Sequence, residues 1–350
     1  MMVRKAHPED NDALMALASA CPMNGDLSLC VDRYPDFFAL NRLAGGGQWQ
    51  VGVIDGDNDG DNGPIACIAV ARREVYLHGE PASLAYVGDL KVHPAHRRRG
   101  AARALLGWAI DTGRDLIGAD GPLMCTVLGG NTAVDTLRDI FTPEVRKRAT
   151  IRSHSISLLW RRRLPRTSLT VRLAEPADTA AMTNLWQRLA PGRQFAPLHH
   201  QVQSAGLDYL LAHHRDGELA GFLGLWDQHA IKQMRVTGYS RRLGMARKAF
   251  NLASPLFRVP RMPAPGGEMS YRTVVSPCAL DPQTLRALLL HACHRLHGEC
   301  SLLTIGLDTR DPLTRALSGL LAQPTDVDVL VLGGPSKDDG GPVHFEIAMV

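Results

Sequence analysis

Val92-His93-Pro94-Ala95-His96-Arg97-Arg98-Arg99-Gly100-Ala101-Ala102-Arg103-Ala104-Leu105-Leu106 joins a strand to a helix through a loop suited to holding an anion. Upstream, Ala85-Tyr86-Val87-Gly88-Asp89-Leu90-Lys91-Val92 has the apolar alternation of a strand, and Pro94, which cannot donate to a ladder, stops it. Downstream, Ala101 to Ile110 is rich in Ala and Leu at helical spacing, so Arg97 to Ala102 is expected to form the first turn of a helix. A helix start carries unpaired N–H groups and partial positive charge, which together favour phosphate. Gly100 and Ala102 let a diphosphate approach the backbone, and Arg97, Arg98 and Arg99 add cationic charge.

Working outward, 350 residues exceed the usual size of a single core and are expected to form two domains. Val3-Arg4-Lys5-Ala6-His7-Pro8-Glu9-Asp10 recurs as Val171-Arg172-Leu173-Ala174-Glu175-Pro176-Ala177-Asp178, each copy reading as strand, Pro-containing turn and helix. A second echo sets Val92-His93-Pro94 and Arg103 to Leu106 against Val275-Ser276-Pro277 and Arg286 to Leu289 at one offset, as a tandem duplication would. In that alignment Arg97 becomes Leu280, Gly100 becomes Gln283 and Ala102 becomes Leu285, so the second loop loses its anion chemistry. Trp160 to Ser168, with a basic run and Pro165, reads as a domain end and linker. The expected architecture is α/β: two tandem domains, 1–165 and 169–350, each a mixed central sheet flanked by helices, with one ligand site per chain. The second domain would complete a substrate cleft, support the first or mediate a homodimer.

The run Arg97-Arg98-Arg99-Gly100-Ala101-Ala102 resembles the signature of the GNAT acyltransferase superfamily, Arg/Gln-x-x-Gly-x-Gly/Ala after a strand, and Leu90-Lys91-Val92-His93-Pro94 is similar to a common form of that strand. The resemblance implies two GNAT-like domains, the second degenerate, and acetyl-CoA as co-substrate. It also implies direct acyl transfer to a primary amine of a small molecule or peptide in a ternary complex. Arg97 to Arg103 would hold the pyrophosphate, and the backbone of Leu90, Lys91 and Val92 would pair with the pantetheine arm. The Leu90 N–H would donate to the thioester carbonyl as charge develops there. In the family an asparagine after the next strand often touches the cofactor, which Asn131 matches, with a helix N-cap as its plainer role. The tyrosine that many members use as general acid is replaced here by Arg138: either the thiolate leaves without strong acid help, or Arg138 stabilises its charge electrostatically, with a structural salt bridge as its plainer role.

An amine arrives protonated and needs a base. Asp89 is the choice from sequence, with an Asp bonded to backbone or to Arg as the open alternative; Tyr86 and His93 lie on or beside the same strand and Glu74 or Glu80 on the preceding one. For the acceptor, Asp32 or Asp36 would pair with the amine and Phe37 or Phe38 would form a wall, or the same aromatics would pack this loop on the sheet.

A net charge of +4 suits mild attraction for anions without pointing to nucleic acid, since aromatics make up 5% of the chain and no stacking motif accompanies the arginines. The polar N-terminus reads as no signal peptide, no stretch is apolar enough to span a membrane, and seven scattered cysteines read as free thiols of a cytoplasmic protein. Asp55 to Gly60 mimics the start of an EF-hand, yet its twelfth position is Ala66 and its flanks read as strands. His291-Ala292-Cys293-His294-Arg295-Leu296-His297 lacks a complementary ligand set, so no metal is expected. Two other functions stay open: an acyl-CoA-binding regulator without turnover, and an acyl or aminoacyl transferase with a larger donor.

Overall fold

The computed structural model describes residues 1–23, 25–56, 63–129, 145–164, 167–200, 206–334 and 340–349. In chain order the first half comprises β1 (Arg4–Lys5), α1 (Asn11–Ser19), β2 (Leu27–Asp32), α2 (Ala39–Gly45), β3 (Trp49–Asp55), β4 (Pro64–Leu77), β5 (Glu80–Val92), α3 (Ala101–Ile117), β6 (Leu123–Leu128) and β7 (Val145–Ser157). The second comprises β8 (Thr170–Leu173), α4 (Thr179–Leu189), β9 (Leu207–His213), β10 (Leu219–Trp226), β11 (Gln233–Tyr239), α5 (Arg241–Phe257), β12 (Tyr271–Ala279), α6 (Pro282–Leu296), β13 (Leu302–Asp308) and β14 (Ala322–Leu332).

Twelve strands form one mixed sheet in the order β1-β3-β4-β5-β6-β14-β7-β13-β12-β10-β9-β8. The class is the expected α/β, but the halves 1–165 and 169–350 do not carry separate sheets. They exchange their last strands: β14 lies between β6 and β7, and β7 between β14 and β13. The two exchanged strands pair antiparallel from Leu332 against Val145 to Ala322 against Ile156, with one register shift between Val329 and Leu330. A separate ribbon of β2 and β11 ties the halves again, with Asp32 opposite Gln233.

Helix α3 buries Ala101, Leu105 and Ala109, one face at four-residue spacing, against Ile68, Val70 and Ala85 of β4 and β5. Leu105 is fully buried, and its truncation to Ala would cost about 2–5 kcal/mol. On the opposite face Leu14, Leu17, Phe37 and Phe38 pack over Val51, Val53, Cys67 and Ala69. In the second half α6 buries Leu285, Leu288, Leu289 and Leu296 against Leu210, Leu223, Val274 and Leu303.

The first sequence echo is the same local structure twice. Arg4 donates to both oxygens of Asp10 at 2.8 and 2.9 Å, and Arg172 to both of Asp178 at 2.6 and 2.7 Å. The N–H groups of His7 and Glu175 donate to those same carboxylates, each at 2.7 Å.

The second echo is out of register. In β5, Gly88 pairs with Ala69 and Lys91 with Cys67, so Asp89 and Leu90 oppose Ile68 alone in a β-bulge. In β12, Val275 pairs with Gly224 and Cys278 with Phe222, leaving Ser276 and Pro277 opposite Leu223. Asp89 (φ 51°) and Ser276 (φ 47°) are both left-handed, so they are equivalent, and Val92 corresponds to Ala279 rather than Val275. Only Leu280 and Asp281 then separate β12 from α6, and the loop between Val92 and Ala101 has no counterpart.

Candidate active site

The strand ends at Val92 and residues Pro94–His96 form a single 3-10 turn, as Pro94 requires. The helix begins later than the sequence suggests: Arg98 (φ 65°) and Gly100 (φ 86°) are left-handed, so Arg97 to Gly100 turn the chain and α3 opens at Ala101. Gly100 is the N-cap, a conformation that disfavours a side chain, and nothing lies within 4 Å of the place a Cβ would take. Among the described residues no side chain caps this helix start, which leaves the N–H groups of its first turn open to a ligand. Arg97, Arg98, Arg99 and Arg103 are exposed around it, with Arg97 Nε on the Val92 carbonyl at 3.2 Å. The second half offers the contrast, because Asp281 accepts from the N–H groups of Gln283 and Thr284 at 2.7 and 2.9 Å. A carboxylate already sits where an anion would bind.

Strand β5 pairs in parallel with β6 only from Ala85 to Val87. Past that point the strands part, and Leu90 to Val92 have no strand partner on the β6 side among the described residues. Residues alternate across the sheet here: Ala85, Val87, Leu90 and Val92 face α3, whereas Leu84 and Tyr86 face the other side.

At the bulge the Asp89 side chain is largely shielded from solvent. Arg33 Nη2 donates to its oxygens at 3.0 and 3.3 Å, and Lys91 Nζ at 2.7 Å. Burial alone would raise this carboxyl, but Arg33 and Lys91, with Lys232 beyond them, hold it well below the usual carboxylate range. A permanently ionised, doubly paired carboxylate is a poor base, so Asp89 orders the bulge instead. Tyr86 is no base either. Burial pushes its phenol up to about 12, and it shares a hydrogen bond of 2.9 Å with Thr126. Lys232, which sequence reasoning missed, is buried beside this cluster with Nζ 3.5 Å from the Ala348 carbonyl. Burial, then the nearby Arg33, brings its ammonium down to about 7. The β2/β11 ribbon explains the meeting: with Asp32 opposite Gln233, the flanking Arg33 and Lys232 leave the ribbon side by side.

On the face away from α3 a small cavity of about 50 Å³ touches Gly88 and Asp89 and is bounded by Arg33, Asn41 and Arg73. A Cβ at Gly88 would fall 2.8 Å from the Tyr86 ring, so this approach requires glycine. The Arg73 guanidinium lies 3.9 Å from the Tyr86 ring centre and donates to the Met349 carbonyl at 3.2 Å. A second cavity of about 780 Å³ shares Ala44, Arg73 and Met349 with the first and runs between the halves. Its far wall includes His200, Ser276, His344 and Glu346. Glu346 Oε1 accepts from His344 Nε2 and the Ser276 N–H, each at 2.8 Å, and burial keeps His200 neutral, near 4.

The expected acceptor residues have other work. Asp32 takes two bonds from Arg235, at 2.6 and 3.2 Å, and one from Ser19 at 2.7 Å, stapling the ribbon. Asp36 pairs with Arg42 and accepts the Phe38 N–H at 2.9 Å. Phe37 and Phe38 are buried against each other and Trp49, the packing alternative. Asn131 and Arg138 lie outside the described residues. His294 and His297 bond the carbonyls of Arg162 and Leu158, and no group of three or more metal-capable side chains occurs among the described residues. Of the residues sequence reasoning missed, only Arg73 left a signal: it interrupts the apolar face Ala69, Ala71, Val75 of β4.

Comparison with known proteins gives the class. Residues 12–135 match the family model of the acetyltransferase (GNAT) family, so this stretch of the chain is similar to a GNAT domain. No curated protein matches the chain. Among solved structures, the fold is similar to Saccharomyces cerevisiae N-myristoyltransferase with bound myristoyl-CoA, at 11% identity and TM-score 0.65, covering 97% of this chain and 84% of that one. It is also similar to a conserved Enterococcus faecalis protein described as a probable N-acyltransferase (10% identity, TM-score 0.52, coverage 94% and 72%). A GCN5-related N-acetyltransferase from Anabaena variabilis matches at 13% identity and TM-score 0.52, with the same coverages. At these identities the likeness concerns fold.

Proposed function

We propose that the chain is an acyl-CoA-dependent N-acyltransferase that transfers an acyl group, in the first instance acetyl, directly to an amine. The observation that carries this reading is the uncapped start of α3 at Gly100, placed at the end of a bulged strand whose neighbour has parted from it. The residues present fit a CoA thioester: N–H groups and arginines for its diphosphate, and at Leu90 to Val92 a strand edge without a neighbouring strand among the described residues for its amide-bearing arm. Bound there, the thioester supplies the activated carbonyl.

The chain's own groups supply the rest. Leu90, left out of the β4 register by the bulge, offers its N–H to the carbonyl oxygen as negative charge develops. Arg33, Asp89 and Lys91 hold the bulge in place, so that this donor is fixed before the ligand arrives. The amine approaches from the cavity on the opposite face, and Lys232 takes its proton, with a pKa near 7 suited to that task. The second half acts by completing the cleft: it contributes the wall at His200, Ser276 and Glu346, with Lys232 buried beside the bulge, while Asp281 closes its own helix start to anions. Incubating the purified chain with acetyl-CoA and a panel of amines tests the reading. Amine-dependent release of CoA supports it; binding of acetyl-CoA without release for any amine points to a regulator.

A further inference from the structure

The small cavity at the bulge has an unusual inventory of polar atoms. Four buried nitrogens on its walls, Arg33 Nε and Nη1, Asn41 Nδ2 and Arg73 Nε, have no hydrogen-bond partner. All four are donors, and none of the unpartnered acceptors belongs to a residue lining this cavity. Buried donors left without acceptors cost about 1–3 kcal/mol each, so the arrangement is unfavourable until something fills it.

The uncompensated charge on its walls is positive. Asp89 is taken by Arg33 Nη2 and Lys91. Glu346, whose charge reaches Arg73, already accepts from His344 and the Ser276 N–H. Among the described residues Arg73 forms no ion pair, and burial disfavours its charge. A group that enters here must therefore be anionic and rich in acceptors. A carboxylate offers roughly four acceptor positions. The size allows this, since a cavity of about 50 Å³ exceeds the roughly 10–15 Å³ that a single water requires.

We propose that the acceptor amine carries a carboxylate close to its nitrogen, as a free amino acid does, and that Arg33, Asn41 and Arg73 bind that carboxylate. This rests on the acyltransferase reading above and adds the class of acceptor. Gly88 and Asp89 line the same cavity, so an amine two bonds from the bound carboxylate carbon lies at the bulge, beside the Leu90 N–H. The remainder of the acceptor extends past Ala44 and Arg73 into the cavity of about 780 Å³, which has room for a large side chain.

The test compares acceptors that differ only in this group: the common L-amino acids, their amides and the corresponding decarboxylated amines, with acetyl-CoA and the full chain, scored by CoA release. The free acids should exceed their amides and decarboxylated partners by at least about 30-fold in kcat/KM, mainly through KM, as the loss of charged hydrogen bonds implies. In Asn41→Leu and Arg73→Met that gap should narrow to less than about threefold, because the discriminating donors are gone. Equal use of acids and amides, or preference for the decarboxylated amines, overturns the carboxylate assignment while leaving the acyltransferase reading intact. No release with any amine in the panel overturns that reading, and this one with it.

Discussion

Arg33, at the end of a ribbon strand, donates to Asp89, in the left-handed position of the β5 bulge, at 3.0 Å. This ion pair links the segment over the acceptor cavity to the strand expected to hold the thioester. Asp89 also takes Lys91, and its side chain is only 9% exposed. Asp89→Asn would leave buried cations without their counter-charge, and should destabilise the chain by about 3–5 kcal/mol, read as a lower melting temperature. The pH dependence has a definite sign. The folded carboxyl lies below its unfolded value, so its stabilisation is fully present above the usual carboxylate range and is lost as pH falls below that range and through the folded value. The wild type should therefore lose stability on acidification below that range more steeply than Asp89→Asn.

Lys232 should set the acidic limb of the activity profile. Its neutral form is the one that accepts a proton, so kcat should rise with pH through about 7 and level above it. Lys232→Met should lower kcat by roughly 10²–10⁴-fold, the usual worth of a general base, and remove that limb from the profile. A pH–rate profile of both proteins checks this, and an unchanged limb in the variant would assign the base elsewhere.

Asp281 predicts the stoichiometry. Because its carboxylate caps α6 and the loop equivalent to Arg97–Gly100 is missing, each chain should bind one CoA. Asp281→Ala should cost about 1 kcal/mol through the lost cap. It should not add a second site, as equilibrium dialysis would show.

The sequence made the first half of the site readable because its information is local. Pro94 stops a strand, alanines and leucines start a helix, and Gly100 marks the left-handed step between them. The helix opening was misplaced because three arginines are acceptable helix formers, and nothing in them announces that Arg98 adopts a left-handed conformation. The register of the second echo failed for a related reason: Val275-Ser276-Pro277 looks like Val92-His93-Pro94, yet the bulge pairing equates Ser276 with Asp89. The strand exchange and the meeting of Arg33, Arg73 and Lys232 arise from long-range pairing. Arg73 was visible only as a charge on an apolar face, and Lys232 not at all.

Gly100 tests the central claim most directly, that the start of α3 binds the diphosphate of an acyl-CoA. Its site is open, so Gly100→Glu would place a carboxylate against the ligand while meeting no protein atom near its Cβ, although the left-handed backbone there adds strain. Calorimetric titration with acetyl-CoA should show one site per native chain and an affinity at least about tenfold weaker in the variant, the equivalent of about 1.4 kcal/mol of repulsion and lost contacts. A folded variant that binds acetyl-CoA as tightly as the native chain, or a native chain that does not bind it, would contradict the account.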